Sequence, residues 1–389
     1  MTIRVLVIDD SAFMRSMLSR MIAKDDRFEV VGQAKNGQEG LELAKSLKPD
    51  LVTLDIEMPV MDGLTALKLI MKEAPTRVIM VSSLTTAGAE STLEALENGA
   101  VDFIPKAMEG GGQNILQASA LLIEKLLAAA GVSVRRSLLR QPSESSTSSA
   151  LPKKDETSAT PARPSLVERA LERKRQEDAA AAAASKEAPK PRRLSSVHKL
   201  PSAKLIVLGS STGGPRALQD FLPHLPANLR VPVVIAQHMP AAFTGPMAQR
   251  LNSSALTTVV EGQDGDVLKP GHVYIAPGGV HARVVEKGGQ LVLSIKEDTG
   301  QESVYKPSVD ILAQSASDIL GGHVLAIMLT GMGSDGSKGF ASLKTKGSYV
   351  LAQDEETSVV YGMPKSVKDI ADEILPLGDI AGVVKRLLS

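Results

Sequence analysis

Twice along this chain short apolar runs alternate with amphipathic stretches of helical period, and that alternation restricts the fold more than any other feature. In the first part the runs are Arg4–Ile8, Glu29–Ala34, Leu51–Leu54, Arg77–Val81 and Asp102–Ile104. Helical patterns lie between them near Ala12–Lys24, Gly37–Lys45, Gly63–Ala74 and Thr86–Asn98, and a final helix follows the fifth run. Runs this short and continuous, each leading into a helix, are what strands buried on both faces of a parallel sheet require. From residue 201 the alternation returns, with strands expected at Lys204–Leu208, Pro232–Ala236, His272–Ala276 and Val324–Leu329. The expected fold class is α/β, with two doubly wound parallel-sheet domains, the second Rossmann-like.

Between the two parts, residues 133–200 carry Ser-Glu-Ser-Ser-Thr-Ser-Ser (143–149), a six-alanine tract (179–184) and Pro189-Lys190-Pro191. Such a stretch has too little large apolar surface to offset its conformational entropy, and we read it as a long flexible linker. Within it, Ser165 to Lys186 has a capping serine and charges at i,i+4 spacing, which suit a transient solvated helix. The expected domains are thus 1–125 and 201–389.

Charge divides along the same lines. The chain is neutral in total. Residues 1–132 hold 13 basic and 18 acidic side chains, 133–200 hold 15 and 8, and 201–389 hold 16 and 18. A nucleic-acid-binding output would carry its basic excess on a folded face. Here the excess falls in the linker, as a basic strap able to lie across the acidic first domain, and no nucleic-acid partner is expected. With no cysteine, the chain has no disulfide, thiolate metal site or cysteine nucleophile. The apolar run at Thr2–Ile8 is far too short to span a bilayer and is followed by no cleavage pattern, so a cytoplasmic monomer is expected.

Asp9 and Asp10 end the first expected strand and Asp55 the third. Parallel strands bring their carboxyl ends to one edge, where ligands bind. Three carboxylates gathered there repel one another unless a cation neutralises them, and hard oxygen donors in this number suit Mg²⁺. Asp55 could then take up a phosphoryl group as a carboxylate nucleophile. Ser82, at the end of the fourth strand, offers a hydroxyl, and Lys106, after the fifth, a positive charge.

These residues, in Val-Ile-Asp-Asp (7–10), Leu-Asp-Ile-Glu-Met-Pro (54–59), Met-Asp-Gly (61–63), Val-Ser-Ser (81–83) and Phe103 with Lys106, resemble a two-component receiver domain. The resemblance implies phosphorylation of Asp55 by a histidine kinase, Mg²⁺ held by Asp9, Asp10 and Asp55, and a switch made of Ser82 and Phe103. It also exposes a departure: Ala107 stands where the family usually has proline after the lysine. A cis bond there would cost about 3 kcal/mol without proline, so that loop is expected to be trans or strained.

In the second part, Lys204–Leu208 runs into Gly209-Ser210-Ser211-Thr212-Gly213-Gly214-Pro215 and a helix. A serine at a strand-to-helix turn stands at the sheet edge beside helix N-terminal amides that can hold an oxyanion. The turn lacks the Gly-Lys-Ser/Thr of a nucleotide loop. His238 follows the next strand and Asp335 a later one, so serine, histidine and aspartate meet at one edge in the arrangement of a catalytic triad. From the residues alone Ser210 competes with Ser211, Asp264, Asp310 and Asp354 compete with Asp335, and His224, His272, His281 and His323 compete with His238.

Gly-Ser-Ser-Thr-Gly-Gly (209–214), Gln-His-Met-Pro (237–240), Pro-Gly-His-Val-Tyr-Ile-Ala-Pro-Gly (270–278), Pro-Ser-Val-Asp (307–310), Leu-Thr-Gly-Met-Gly-Ser-Asp-Gly (329–336) and Tyr-Gly-Met-Pro (361–364) are similar to the catalytic domain of the chemotaxis protein-glutamate methylesterases. Position by position, the resemblance implies Ser211 as nucleophile, His238 as base and Asp335 as acid, with the amides near Thr212 and Met332 as the oxyanion site. It further implies hydrolysis of glutamate γ-methyl esters and deamidation of glutamines on chemoreceptors. No cofactor is implied for hydrolysis, and the receiver is expected to pack over the cleft until phosphorylated. The alternatives are a response regulator whose output domain only binds a ligand, or a transcriptional regulator, which the charge of residues 201–389 disfavours.

Overall fold

A computed structural model of the chain describes residues 2–106, 112–131, 202–297 and 303–389. The loop at Ala107, the linker with the helix expected at 165–186, and the expected basic strap lie outside the described residues.

The first domain has five strands, β1 (Ile3–Ile8), β2 (Phe28–Ala34), β3 (Leu51–Asp55), β4 (Arg77–Ser82) and β5 (Asp102–Pro105). They form one parallel sheet in the order β2-β1-β3-β4-β5. Helices α1 (Ala12–Ile22), α2 (Gly37–Leu47), α3 (Gly63–Glu73), α4 (Thr86–Glu97) and α5 (Gly112–Ala130) alternate with them. Every residue of β3 is buried, as a central parallel strand requires. Four of the helices start where sequence chemistry directs: Ser11, Asn36, Asp62 and Thr85 each accept the amide three residues on.

The second domain is built on a seven-stranded parallel sheet, and its chain order is longer than the sequence suggests. Its strands are β6 (Leu205–Ser210), β7 (Val233–Gln237), β8 (Thr258–Glu261), β9 (His272–Ile275), β12 (Val324–Met328), β13 (Tyr349–Gln353) and β14 (Glu373–Leu375). The hairpin β10 (His281–Lys287) and β11 (Gln290–Lys296) pairs antiparallel beside it. Helices α6 (Gly214–Phe221), α7 (Ala241–Ser254), α8 (Val309–Leu320), α9 (Ser337–Thr345), α10 (Met363–Ser366) and α11 (Leu377–Leu388) complete the domain. The sheet order is β14-β13-β12-β6-β7-β9-β8. The chain leaves β6 toward β7 on one side and returns to β12 on the other, so a topological switch point lies at β6, where such sheets bind ligands.

The α/β class and the parallel sheets agree with the sequence. The hairpin, β8, β13 and β14 were not expected from it. The hairpin's signal was nevertheless present, since two alternating runs flank Gly288-Gly289, both at positive φ (59° and 77°), the glycine pair that a tight turn favours.

The two domains pack against one another within one compact unit, chiefly through α4 against α6 and α7. Phe103 of β5 stacks on Phe243 of α7, with ring centroids 4.5 Å apart. Glu97, the last residue of α4, pairs with Arg250 of α7, and its main-chain oxygen accepts from Arg216 Nη1 at 2.9 Å.

Candidate active site and phosphoacceptor site

The turn after β6 separates its two serines. Ser210 is fully buried and its hydroxyl donates to Gln237 Oε1 at 2.6 Å, a structural bond between neighbouring strands. Ser211 is part-exposed, and its hydroxyl makes no hydrogen bond among the described residues. Its main chain is pinned, the amide donating to Thr330 O at 3.0 Å and the carbonyl accepting from Gln237 Nε2 at 3.0 Å.

His238 follows β7 and Asp335 follows β12. Their contact is direct, with Nε2 to Oδ2 at 2.8 Å and side chains only 8% and 5% exposed. Because a carboxylate can only accept, Nε2 carries the proton and Nδ1 of the neutral ring is left as the acceptor. That Nδ1 is buried and has no hydrogen-bond partner among the described residues.

Asp335 also accepts from Ser308 Oγ at 2.8 Å, Val309 N at 2.7 Å and Asp310 N at 3.1 Å. Burial pushes its pKa up, but His238 and those amides outweigh burial and hold the carboxyl below its ordinary value. The other acids are engaged elsewhere. Asp264 accepts from Ile295 N, Asp310 from Gly339 N and Asp354 from Thr357 N. His224, His272 and His323 bond main-chain oxygens, and His281 is buried in β10.

Thr212 and Met332, the candidate oxyanion residues, lie on the two turns that flank Ser211. Gly331 permits their approach, since a Cβ there would stand 3.0 Å from both Cβ and N of Ser211 and 2.3 Å from Met363 Sδ. The Thr212 side chain is buried. Its hydroxyl donates to Asp102 Oδ2 of the receiver at 2.5 Å, and Asp102 is paired in turn with Lys125 at 2.8 Å. No local pattern signals this interdomain bond, because it joins residues more than a hundred positions apart.

In the first domain Asp9, Asp10 and Asp55 gather as expected, each offering a carboxylate oxygen within 4.8 Å of the others. Lys106 Nζ lies 2.7 Å from Asp55 Oδ1 and 3.9 Å from Asp9 Oδ2. Burial, with Asp9 adding to it and Lys106 opposing, pushes the Asp55 carboxyl up to about 6, and burial raises Asp9 as well. Oδ2 of Asp9 and of Asp55 are buried without a hydrogen-bond partner among the described residues. Orphaned carboxylate oxygens converging on one point fit a hard divalent cation.

The switch residues stand in one arrangement. Ser82 Oγ is turned to the first turns of α4, accepting from Thr92 Oγ1 at 2.7 Å and lying 3.2 Å from Gly88 O, with no bond to Asp55. Phe103 is buried under Phe243, with Lys125 Nζ 5.1 Å over its ring.

Comparisons with known proteins bear on the family. A family model described as response regulator receiver domain matches residues 5–118, and one described as CheB methylesterase matches residues 206–384. A protein-glutamate methylesterase/protein-glutamine glutaminase of Oleidesulfovibrio alaskensis is 45% identical, the match covering 98% of this chain and 98% of the relative. The chain belongs to the protein-glutamate methylesterase/protein-glutamine glutaminase family. Another methylesterase/glutaminase of this kind, from Vibrio parahaemolyticus, is 44% identical, with 98% and 97% covered. Among solved structures, the Thermotoga maritima CheB methylesterase catalytic domain is 42% identical, covering 48% of this chain and 98% of that one, at a TM-score of 0.46. Relatives that carry enzyme names through both domains favour a methylesterase over an output domain that only binds. No helix among the described residues is long and apolar enough to cross a membrane.

Proposed function

We propose that this methylesterase is a receiver-gated serine hydrolase that cleaves glutamate γ-methyl esters, and deamidates glutamines, on chemoreceptors. The carrying observation is the His238–Asp335 bond at the sheet switch point, which leaves Nδ1 as an unpartnered acceptor one strand from the free hydroxyl of Ser211. In this reading Ser211 Oγ attacks the side-chain acyl carbon and His238 Nδ1 takes its proton. The Thr212 and Met332 amides hold the oxyanion. The tetrahedral intermediate then expels methanol, or ammonia from a glutamine, as His238 returns the proton to the leaving group. Water repeats the sequence on the acyl-enzyme and releases glutamate. Asp335, kept ionised by its donors, holds the imidazole tautomer and stabilises its charged form.

Control belongs to the first domain. Asp55 accepts a phosphoryl group from a histidine kinase, and Lys106 steadies the charge. Asp9, Asp10 and Asp55 would hold Mg²⁺, which when bound supplies the positive charge that lets an anionic donor approach this acidic edge. The unphosphorylated receiver, packed on the nucleophile turn through Asp102 and Phe103, keeps activity low.

The test is methanol release from methylated receptor membranes. Ser211→Ala abolishes release, whereas Ser210→Ala retains it at lower stability; activity in Ser211→Ala equal to the parent's would overturn the reading.

A further inference from the structure

Tyr305 has no part in the chemistry described so far, yet its ring lies flat on the imidazole of His238. The centroids are 4.4 Å apart and the planes 4° from parallel. Its hydroxyl reaches the receiver, 3.4 Å from Glu124 Oε1 on α5. Gly333, at φ +81°, makes room for it, since a Cβ there would stand 3.2 Å from Tyr305 Oη.

The need for such a residue follows from the way His238 is held. The bond to Asp335 fixes one ring atom, and the ring can still turn about the Nε2–Oδ2 line. Nδ1, which has no hydrogen-bond partner among the described residues, does nothing to stop it. A face-to-face neighbour removes that freedom, because rotation of the imidazole would drive its edge into the phenol ring. An aromatic face also favours the positive charge that His238 acquires during the reaction.

We propose that Tyr305 is the positioning residue for His238, setting the plane in which Nδ1 meets Ser211, and that its bond to Glu124 ties this plane to the receiver. The proposal rests on His238 being the general base. Among the described residues, the titratable groups that face the imidazole are Asp335 and Tyr305. Asp310 stands behind Asp335, and Glu124 behind the phenol.

The experiment measures kcat and KM for methanol release against pH, with a phosphodonor present, in the full chain carrying Tyr305→Phe or Tyr305→Leu. The phenylalanine variant keeps the stack, so its kcat stays within twofold of the parent with the same acid-limb midpoint. The leucine variant removes it, so kcat falls tenfold or more with KM unchanged, and the midpoint moves to lower pH as the charged imidazole loses its aromatic neighbour. Without phosphodonor, Tyr305→Phe and Glu124→Gln both raise basal activity, by loosening the tie to the receiver. A leucine variant with parental kcat and midpoint overturns the proposal. So does an equal loss in both variants with no change of midpoint, which would mark a merely structural ring. Ser211→Ala, assayed alongside, separates the two ideas: if it retains activity the hydrolase reading fails first, and if it alone is dead only the role of Tyr305 fails.

Discussion

Replacing Glu97 by alanine releases the receiver and raises activity without phosphorylation. Glu97 closes α4, and its carboxylate meets Arg250 in a fork, with Nε to Oε1 at 2.6 Å and Nη2 to Oε2, while Gln219 Nε2 donates to Oε1. Both charged side chains remain about a third exposed, at 34% and 30%. A fully exposed pair contributes under about 1 kcal/mol, and a hydrogen bond to a charged group about 1.5–3 kcal/mol. The half-covered fork therefore favours the packed state by about 1–2 kcal/mol, since in the released state both partners are solvated. The ratio of released to packed molecules should then rise roughly five- to thirtyfold. Methanol release without phosphodonor rises by that factor until the released form dominates, while the phosphorylated rate stays within twofold of the parent. Helix α4 loses nothing, because alanine is its best former. The Arg250→Ala variant should match Glu97→Ala, and the double variant should add little to either. A basal rate unchanged in both single variants would refute the inference that this interface restrains the enzyme.

Three further outcomes are expected. Chelating divalent cations removes the response to phosphodonor and leaves basal methanol release intact, because the carboxylate cluster serves the receiver alone. Gly331→Ala drives a methyl group against Ser211 and Met363, costing about 1–3 kcal/mol of stability and at least tenfold in kcat, measured by thermal denaturation and methanol release. Asp335 contributes stability through a carboxyl held below its ordinary pKa, so that contribution is complete above about pH 4 and disappears as pH falls through the lowered native value. The stability gap between the parent and Asp335→Asn in denaturant titrations therefore narrows as pH is lowered from about 5 toward 2.

Most of the sheet was readable because parallel strands buried on both faces are continuous apolar runs, and β1, β3 and β4 show it plainly. Strands β8 and β14 have no such run. They are sheet edges of four and three residues, and only neighbours distant in sequence make them strands. The site was readable where topology fixes it, at the ends of β3, β6, β7 and β12. The residues alone leave Ser210 and Ser211 open, since both share one turn, and the family resemblance points to Ser211; the structure adds that Ser210 faces Gln237. Tyr305 and Asp102 carried no local signal. Tyrosine before a Lys-Pro pair and aspartate at a strand start are ordinary, and their partners lie far along the chain.

The bond from Thr212 to Asp102 seats the receiver on the nucleophile turn, so that in the proposed reading receiver and substrate compete for that turn. Linkage then runs in both directions. If phosphorylation frees the cleft by some factor, a receptor segment held in the cleft must favour the phosphorylated receiver by the same factor. At equilibrium, methylated receptor held in the cleft would thus favour the phosphorylated form, and exhaustion of substrate would favour the seated receiver. If the interface restrains this hydrolase as proposed, it is in that sense also its gauge of remaining work.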